Sequence, residues 1–570
     1  MKLRSFLLVL AAGALSLVAI AAAGVFWILS DSPLDLRDGG VEAHPEAAVF
    51  VPRQAPLMGS LLVDVDRLVA YRQLLAPVLQ RSRSYRELER LKADLLDGTR
   101  LNYARDIQPW LGRELTFAVT SLDYDRDPDN GVQPGYLLVA TTDNGDRARE
   151  FLQAYYSRQA AAGTTDLVFE QYKGTNIIYR RPVPGYQGSD ALASAVVGDR
   201  FVLFANHPKV LREALTDVQV PALNLLGSKP YQHALPTLTT PRIGEVFANV
   251  PAIAAWLAGK PALAPPESEQ TLTVALSVNP FGVSAQTALQ GIGTPGDRAP
   301  ALHEPVGALR YVPAGSTLAI AGSDLAQLWA DLDADFAPAS PVAQLLGQWR
   351  DRLQDGVGLD VPEAIFSWVH GEYALALLPG STSDSQGDWI FVAEKVPTDD
   401  PEATAAAAIA RIDRAAADGG LGIGTFSLDG RAVTAWTQLQ AAAPVDLHTQ
   451  AGLQLDARVK GVRITVGNYV VLASSLAAIA QVSHDEADSL LARATFQDAI
   501  QSLPDDNDGY LYLDWRGSRA NLEQQLPLLR AIELAGQPLF DHLGAVALSS
   551  RGSQDDVRQA TVSLRLVGTE

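Results

Sequence analysis

Residues Leu101–Val119 read LNYARDIQPWLGRELTFAV, and residues Leu359–Leu377 read LDVPEAIFSWVHGEYALAL. The two stretches align without a gap at an offset of 258 residues, and their apolar positions agree almost throughout. The positions that are identical are Leu101/Leu359, Ile107/Ile365, Trp110/Trp368, Glu114/Glu372 and Ala118/Ala376. Each pattern predicts a short helix that carries one tryptophan, followed by a strand. The pair therefore indicates an internal repeat.

The similarity continues along the chain after both stretches. Residues 196–215 and 465–482 each predict a strand, a tight turn at Gly-Asp or Gly-Asn, a second strand and a helix. Each half then continues with a short helix, a strand followed by a helix, and two closing strands. Chance similarity between two unrelated domains is the alternative. Because the agreement occurs in the same order at several places, duplication of one design is the better interpretation.

The predicted fold class is α+β: an N-terminal transmembrane helix followed by two tandem, duplicated α+β lobes with mainly antiparallel sheets. Strands and helices do not alternate regularly, which favours antiparallel over parallel sheets. A stretch rich in Pro and Gly, GTPGDRAPALHEP, is typical of a linker between domains. The predicted organisation is a signal anchor at 1–30, a stalk at 31–48, a first repeat at 49–296, a linker at 297–304 and a second repeat at 305–570.

The N-terminus has the pattern of a membrane anchor. Lys2 and Arg4 precede an uncharged run over residues 5–30, and about 20 apolar residues are enough to span a bilayer. A cleaved signal peptide is the alternative, with AAAG at 21–24 as its cleavage site, but apolar sequence continues to Leu29. Because basic residues favour the cytoplasmic side, we expect a single-pass membrane protein that contacts the membrane through residues 5–30. The bulk of the chain is then non-cytoplasmic.

The composition of the chain restricts its partners. The formal net charge is −20, whereas binding to a phosphate backbone needs clustered Lys and Arg, so we expect no nucleic acid as a partner. The same charge disfavours broad adhesion to an anionic membrane surface. The chain contains no cysteine, which excludes disulfides, thiolate metal sites and a lipid-modified cysteine anchor. The fold must therefore depend on ordinary apolar cores.

Several stretches of this sequence resemble a known family. They are SPLDLRDGG, FVPRQAPLMGSLLV, RDIQPWLGRELTFAVTSLDYDRDPDNGVQPGYLL and FEQYKG. They are similar to the cyanobacterial branch of the domain-of-unknown-function 3352 family, and the resemblance covers nearly the whole chain. It implies uncharacterised proteins anchored by an N-terminal helix, with no assigned activity or catalytic residue. It also implies a cyanobacterial source, and hence a plasma or thylakoid membrane with the body in the periplasm or the thylakoid lumen.

One loop has the composition of a metal site. In SLDYDRDPDNGVQPGY (residues 121–136), four aspartates alternate with other residues: Asp123, Asp125, Asp127 and Asp129. An EF-hand loop needs Gly at its sixth position and Glu at its twelfth, and Pro128 and Pro134 stand there instead. The flanking sequence predicts two strands, so the loop is the tip of a hairpin. Three interpretations remain: a solvated turn, a weak calcium site formed by the four aspartates, or a docking point for a protein. Apart from this possible Ca²⁺, we expect no cofactor.

Catalytic motifs are absent from the sequence, so we expect no enzyme activity. There is no nucleophile elbow, no zinc-protease motif and no P-loop. Trp110 and Trp368 are interpreted as core residues. Glu114 and Glu372 are expected to pair with a nearby arginine rather than to act as acid or base. Histidines His207 and His370 are interpreted as turn residues.

Three hypotheses for the function follow. The first is a membrane-tethered extracytoplasmic protein that binds or scaffolds another envelope or thylakoid protein, for which the acidic charge favours a basic or cation-bridged partner. The second is a carrier or sensor of an apolar ligand, held in a groove beside Ala-rich helices. The third is an enzyme with a site of unfamiliar type.

Overall fold

The computed structural model describes most of the chain after residue 40. The described residues are 40–63, 101–127, 129, 131–161, 165–182, 191–238, 241–257, 270–279, 281–291, 302–329, 366–379, 388–397, 405–428, 430–441, 455–482, 486–525, 540–554 and 556–567. The predicted anchor 1–30 lies outside these residues, as do 31–39 of the predicted stalk and 297–301 of the predicted linker. Within the described part, no helix has the length and apolar character needed to cross a bilayer.

The described chain is α+β and consists mostly of strands. The strands of the first half are β1 (Leu57–Leu61), β2 (Leu111–Ser121), β3 (Gly135–Thr142), β4 (Thr165–Tyr172), β5 (Thr175–Pro182), β6 (Ala193–Val197), β7 (Phe201–Ala205), β8 (Gly244–Asn249), β9 (Thr271–Asn279) and β10 (Gly282–Gln290). Those of the second half are β11 (Leu318–Ser323), β12 (Glu372–Leu377), β13 (Trp389–Glu394), β14 (Gly422–Leu428), β15 (Arg431–Ala441), β16 (Leu455–Val466), β17 (Tyr469–Ala473), β18 (Gly509–Asp514), β19 (Leu543–Gln554) and β20 (Val557–Leu566).

The helices follow the same order in each half. In the first half they are α1 (Gly145–Ala161), α2 (Pro208–Asp217), α3 (Lys229–Ala234) and α4 (Val250–Leu257), and in the second α5 (Ala405–Asp418), α6 (Leu476–Ala480), α7 (Ala494–Ile500) and α8 (Trp515–Gln525). A 3₁₀ helix precedes the first strand of each half, at Glu46–Phe50 and at Gly307–Tyr311. A π-helical turn at Tyr103–Ile107 leads into β2.

All described strands belong to one antiparallel sheet of 20 strands. Its first half has the order β4-β5-β6-β7-β3-β2-β1-β8-β9-β10. The second half has the order β14-β15-β16-β17-β13-β12-β11-β18-β19-β20. Each strand of the first half thus has a counterpart in the second half with the same neighbours.

The two halves meet where β10 pairs with β20. Gly282 lies opposite Arg565, and the register continues without interruption to Leu289 opposite Arg558. The sequence predicted two tandem lobes with mainly antiparallel sheets; the antiparallel pairing is confirmed, and this strand pair joins the sheets of the two halves into one. The two facing strands, of 9 and 10 residues, satisfy each other's backbone hydrogen bonds.

The core is continuous across this junction. One apolar cluster combines Val246, Val274 and Leu276 of the first half with Trp515 and Phe540 of the second. Four other clusters each lie within a single half, between strands and the helices that cover them. The halves therefore share a core where their sheets join, in addition to their backbone pairing.

Local features of the repeated pattern agree with the sequence. Trp110 and Trp368 are both buried, with 4% of each residue exposed, which confirms their interpretation as core residues. Gly198 and Gly467 both have a φ of +57° in the tight turns β6–β7 and β16–β17. A positive φ strains residues that carry a side chain, so glycine is favoured in these turns.

Candidate functional site

The aspartate loop joins β2 to β3, and its carboxylates bind its own backbone. The Asp127 amide donates to Asp125 Oδ1 at 3.2 Å, and the Asp129 amide donates to Asp127 Oδ1 at 3.0 Å. These are Asx turns, in which a side chain replaces a backbone acceptor. Arg126, between them, takes a left-handed φ of 59°. At least two of the four aspartates therefore shape the turn.

The loop does not gather its carboxylates around one point. Among the described residues, which include all four aspartates, no group of three or more His, Asp or Glu side chains is arranged to hold a metal ion. Asp123 is half-buried, and its Oδ1 is a buried atom without a hydrogen-bond partner in the described chain. Calcium binding by Asp123, Asp125, Asp127 and Asp129 stays a prediction.

Tyr124 connects the aspartate loop to helix α2. Its ring stacks on His207 with 4.5 Å between the ring centroids, and its hydroxyl donates to Gln133 Oε1 at 2.8 Å. His207 Nδ1 accepts the Lys209 amide at 3.2 Å and so caps the N-terminus of α2. Burial, and then the nearby Arg212, lowers the pKa of His207. His207 thus has a structural role as a neutral cap and a stacking partner.

Helix α2 in turn contacts strand β4, at one end of the sheet. Arg212 donates to both carboxylate oxygens of Glu170, with Nε–Oε1 at 2.9 Å and Nη2–Oε2 at 2.8 Å. This hydrogen bonding lowers the pKa of Glu170. The aspartate loop, α2 and β4 therefore form one connected surface at the outer end of the first half.

The outer side of β4 is open, and we call this feature the β4 edge (Thr165–Tyr172). Among the described strands, β4 pairs only with β5. Phe169 on this strand is 72% exposed, the largest value among the described large apolar residues. Open strand edges accept further strands, and exposed aromatic residues are common anchors at interfaces. The β4 edge can therefore bind an extended peptide segment.

A second polar feature lies inside the first half. Thr116 is fully buried and donates its hydroxyl to Ser60 Oγ at 2.8 Å, or to Glu114 Oε1 at 3.0 Å. Glu114 accepts the backbone amides of Glu46 and Ala47 at 2.9 and 2.8 Å, at the start of the first 3₁₀ helix. Burial raises the pKa of Glu114 despite these donors. The sequence predicted an arginine partner for Glu114, and this was wrong because the helix N-terminus supplies the donors.

The polar feature continues across β1 to β8, since Ser60 lies opposite both Thr116 and Glu245. Glu245 is completely buried and accepts hydrogen bonds from Tyr231 and from Arg242 Nη1, the latter at 2.8 Å. His44 Nδ1 lies 3.2 Å from the same carboxylate. We name this set the buried polar cluster: His44, Ser60, Glu114, Thr116, Tyr231, Arg242 and Glu245. It holds residues 40–50 against the sheet.

The second half is built without most of this cluster. Ala321, the counterpart of Ser60, lies opposite Ala374 and Tyr510 instead of Thr116 and Glu245. Phe496 replaces Tyr231, and the two rings stack edge to face on Tyr512 and Phe247, respectively, which occupy equivalent positions. Only the glutamate is retained: Glu372 Oε2 accepts the Ala308 amide at 3.0 Å and the Tyr469 hydroxyl at 3.0 Å. The two halves therefore share the glutamate cap and differ in the rest of the cluster.

Sequence patterns alone do not indicate the buried polar cluster. Its members come from five separate segments, and only strand register brings them together. The one local signal is a charged residue inside an apolar strand, as at Glu245 in GEVFAN. A glutamate at such a position must find partners or lose its charge.

Comparison with known proteins identifies the family. The family described as "Protein of unknown function (DUF3352)" matches residues 10–566. No curated protein matches the chain, and no solved structure does. The match extends through both halves of the sheet and includes the aspartate loop, the β4 edge and the buried polar cluster, so the chain belongs to the DUF3352 family.

Proposed function

We propose that the chain is a membrane-tethered, extracytoplasmic protein that binds or scaffolds another envelope or thylakoid protein. The β4 edge carries this proposal, because it is an open strand at the end of the sheet with Phe169 72% exposed. Strand addition supplies main-chain hydrogen bonds for affinity, and pockets or anchors beside the strand supply specificity. The partner therefore presents an extended segment with an apolar residue that packs on Phe169.

Exposed carboxylates on β4 and on the surface that α2 connects to it favour a basic partner. Asp127 and Asp129 are exposed on the aspartate loop, and Asp166 is exposed on β4 itself. Glu170 is already neutralised by Arg212, so it contributes little to a new contact. Lys or Arg residues that flank the extended segment would meet the exposed aspartates. Such contacts steer association and weaken as salt is added.

The setting of the protein forms part of the proposal. Lys2, Arg4 and the uncharged run over residues 5–30 support an uncleaved anchor with the body outside the cytoplasm. The resemblance to a cyanobacterial branch of the family supports a plasma or thylakoid membrane. The equal strand orders of the two halves support a gene duplication, with repeats near 49–296 and 305–570.

Site-specific photocrosslinking tests the binding proposal. A photoreactive residue at Phe169 in native membranes should crosslink to one discrete protein, and the same probe at Val396, which is also exposed, should not. The crosslink should weaken with added salt and with Asp127→Asn/Asp129→Asn. Equal labelling at both positions would refute binding at the β4 edge. A co-purified apolar small molecule in place of a protein would favour the carrier hypothesis.

A further inference from the structure

The other end of the sheet has a different character. Strand β14, GIGTFSL, pairs only with β15 among the described strands and is exposed along nearly its whole length. Ile423 is 44% exposed and Phe426 is 39% exposed. The strand carries no charged residue. Natural edge strands are usually protected by charges, prolines or bulges, so an open, uncharged and partly apolar edge indicates that something pairs with it.

The hairpin defines which backbone groups are open to a partner. Two residues separate Leu428 from Arg431, which lie opposite each other. In a two-residue hairpin the flanking residues exchange hydrogen bonds, and such pairs alternate along the ladder. The amides and carbonyls of Ile423, Thr425 and Ser427 therefore face away from β15. These three residues can hydrogen-bond a further strand without any change in the hairpin.

The sequence of β14 is complementary to itself. If two copies of the strand pair in antiparallel fashion about Thr425, Gly424 lies opposite Phe426 of the second copy, and Gly422 lies opposite Leu428. Each large side chain then covers a glycine on the same face, an arrangement known to stabilise glycine in sheets. The outward groups of Thr425 meet those of its own copy in a hydrogen-bonded pair. We infer that β14 is a dimerisation strand and that its occupant is β14 of a second copy of this chain.

Two other observations favour a second copy. First, the chain already pairs equivalent strands in this way, since β10 and β20 occupy equivalent places in the two halves and pair antiparallel. Second, when a strand pairs with the same strand of another copy, each charged side chain approaches the identical charge of that copy. Strand β14 has no charged side chain. The β4 edge carries the exposed Asp166, which self-pairing would bring towards the same carboxylate of the second copy, and like charges on facing strands are destabilising. The two ends of the sheet are therefore suited to different partners.

Single-cysteine trapping tests this inference on the full chain in detergent, because the natural chain has no cysteine. In the proposed dimer the two Thr425 Cα atoms lie about 5.5 Å apart, within the range that a disulfide bridges. Thr425→Cys should form a covalent dimer under mild oxidation. Phe169→Cys, on the opposite edge, should stay monomeric under the same conditions. A monomeric Thr425→Cys variant, or equal crosslinking of both variants, would overturn the inference.

Sedimentation of the protein without crosslinking provides a second test of the dimer. Thr425→Lys would bring two ammonium groups together at the dimer axis, so its dimer should dissociate at least tenfold more readily than that of the wild type. Thr425→Val keeps the strand and should stay dimeric. An unchanged dimer in Thr425→Lys would contradict pairing at β14. Crosslinking of a partner at Phe169 should not change in Thr425→Lys. Failure of the dimer inference can therefore be distinguished from failure of the proposed binding at the β4 edge.

Discussion

Tyr231 donates its hydroxyl to Glu245, and both side chains are completely buried within the first half. Burial, and then the charge of Glu245, raises the pKa of Tyr231 well above its usual value, so this tyrosine remains a donor at all physiological pH values. The contact joins helix α3 to strand β8 at the centre of the buried polar cluster. In the second half the same two places hold Phe496 and Tyr510, which shows that a different pair can fill this space.

We expect Tyr231→Phe to lower the free energy of unfolding by about 1–3 kcal/mol, because it leaves a buried carboxylate oxygen without its donor. Urea unfolding followed by tryptophan fluorescence measures the change. Tyr512→Phe is the matched control, since Tyr512 is also fully buried and its hydroxyl lies 3.3 Å from the neutral Thr495 Oγ1 rather than beside a carboxylate. Equal effects of the two substitutions would contradict a special role for the Tyr231–Glu245 contact.

Asp217 should make stability depend on pH. It is the last residue of α2 and 7% exposed, and its Oδ2 is without a hydrogen-bond partner in the described chain. Burial, and then the Glu213 carboxylate, raises the pKa of Asp217 to about 7. A raised carboxyl pKa means that the folded state binds the proton more tightly than the unfolded state. The resulting stability is complete below pH about 3.9 and is lost as the pH rises through about 7.

The variant Asp217→Asn removes this ionisation. We expect its free energy of unfolding to exceed that of the wild type by about 1–3 kcal/mol at pH 8, and by less at pH 5. Denaturant titrations at the two pH values provide the measurement. Asp146→Asn is the control, since the side chain of Asp146 is 90% exposed. A benefit that is the same at both pH values would mean that Asp217 is already ionised in the fold.

We expect the aspartate loop to bind calcium only weakly. A hairpin tip supplies ligands from one side only, so water would complete a shell of about 6–8 oxygens. We expect millimolar calcium to raise the melting temperature slightly and micromolar calcium to have no effect. The quadruple variant Asp123→Asn/Asp125→Asn/Asp127→Asn/Asp129→Asn should lose this response and remain folded, because asparagine keeps the Oδ1 acceptors of the Asx turns. A response at micromolar calcium would show that ligands from elsewhere complete the site.

The anchor should remain attached, with the body outside the cytoplasm. The chain is already bound to the body at Val41, whose backbone forms a bridge with Arg242. Residues 31–39 separate the predicted anchor from the described part of the chain, and a segment of this length spans at most about 30 Å. Protease added to right-side-out vesicles should digest the body. A mature N-terminus near Gly24 would show that the signal is cleaved.

Features that depend on the local sequence pattern could be predicted. The order of strands and helices, the buried tryptophans Trp110 and Trp368 and the tight turns at Gly198 and Gly467 follow from periodicity and backbone preference. The β10–β20 junction could not be predicted in this way. Pairing between strands that are far apart in sequence leaves no local signal. The buried polar cluster was missed for the same reason. The partner of Glu114 was wrong because backbone amides have no signature in the sequence.

The described chain first contacts the sheet beside β8, and this position determines how far each end of the sheet lies from the N-terminal segment. The Val41–Arg242 bridge lies next to β8, which is an interior strand. At about 4.8 Å per strand, β4 lies about 34 Å from β8 along the sheet, and β14 lies about 58 Å away on the other side. With the predicted anchor attached, the protein would be held beside β8, which is fewer strands from the β4 end of the sheet than from the β14 end. A partner at β4 and a second copy at β14 would then occupy opposite ends of the strand order, and each copy in a dimer would bring its own anchor.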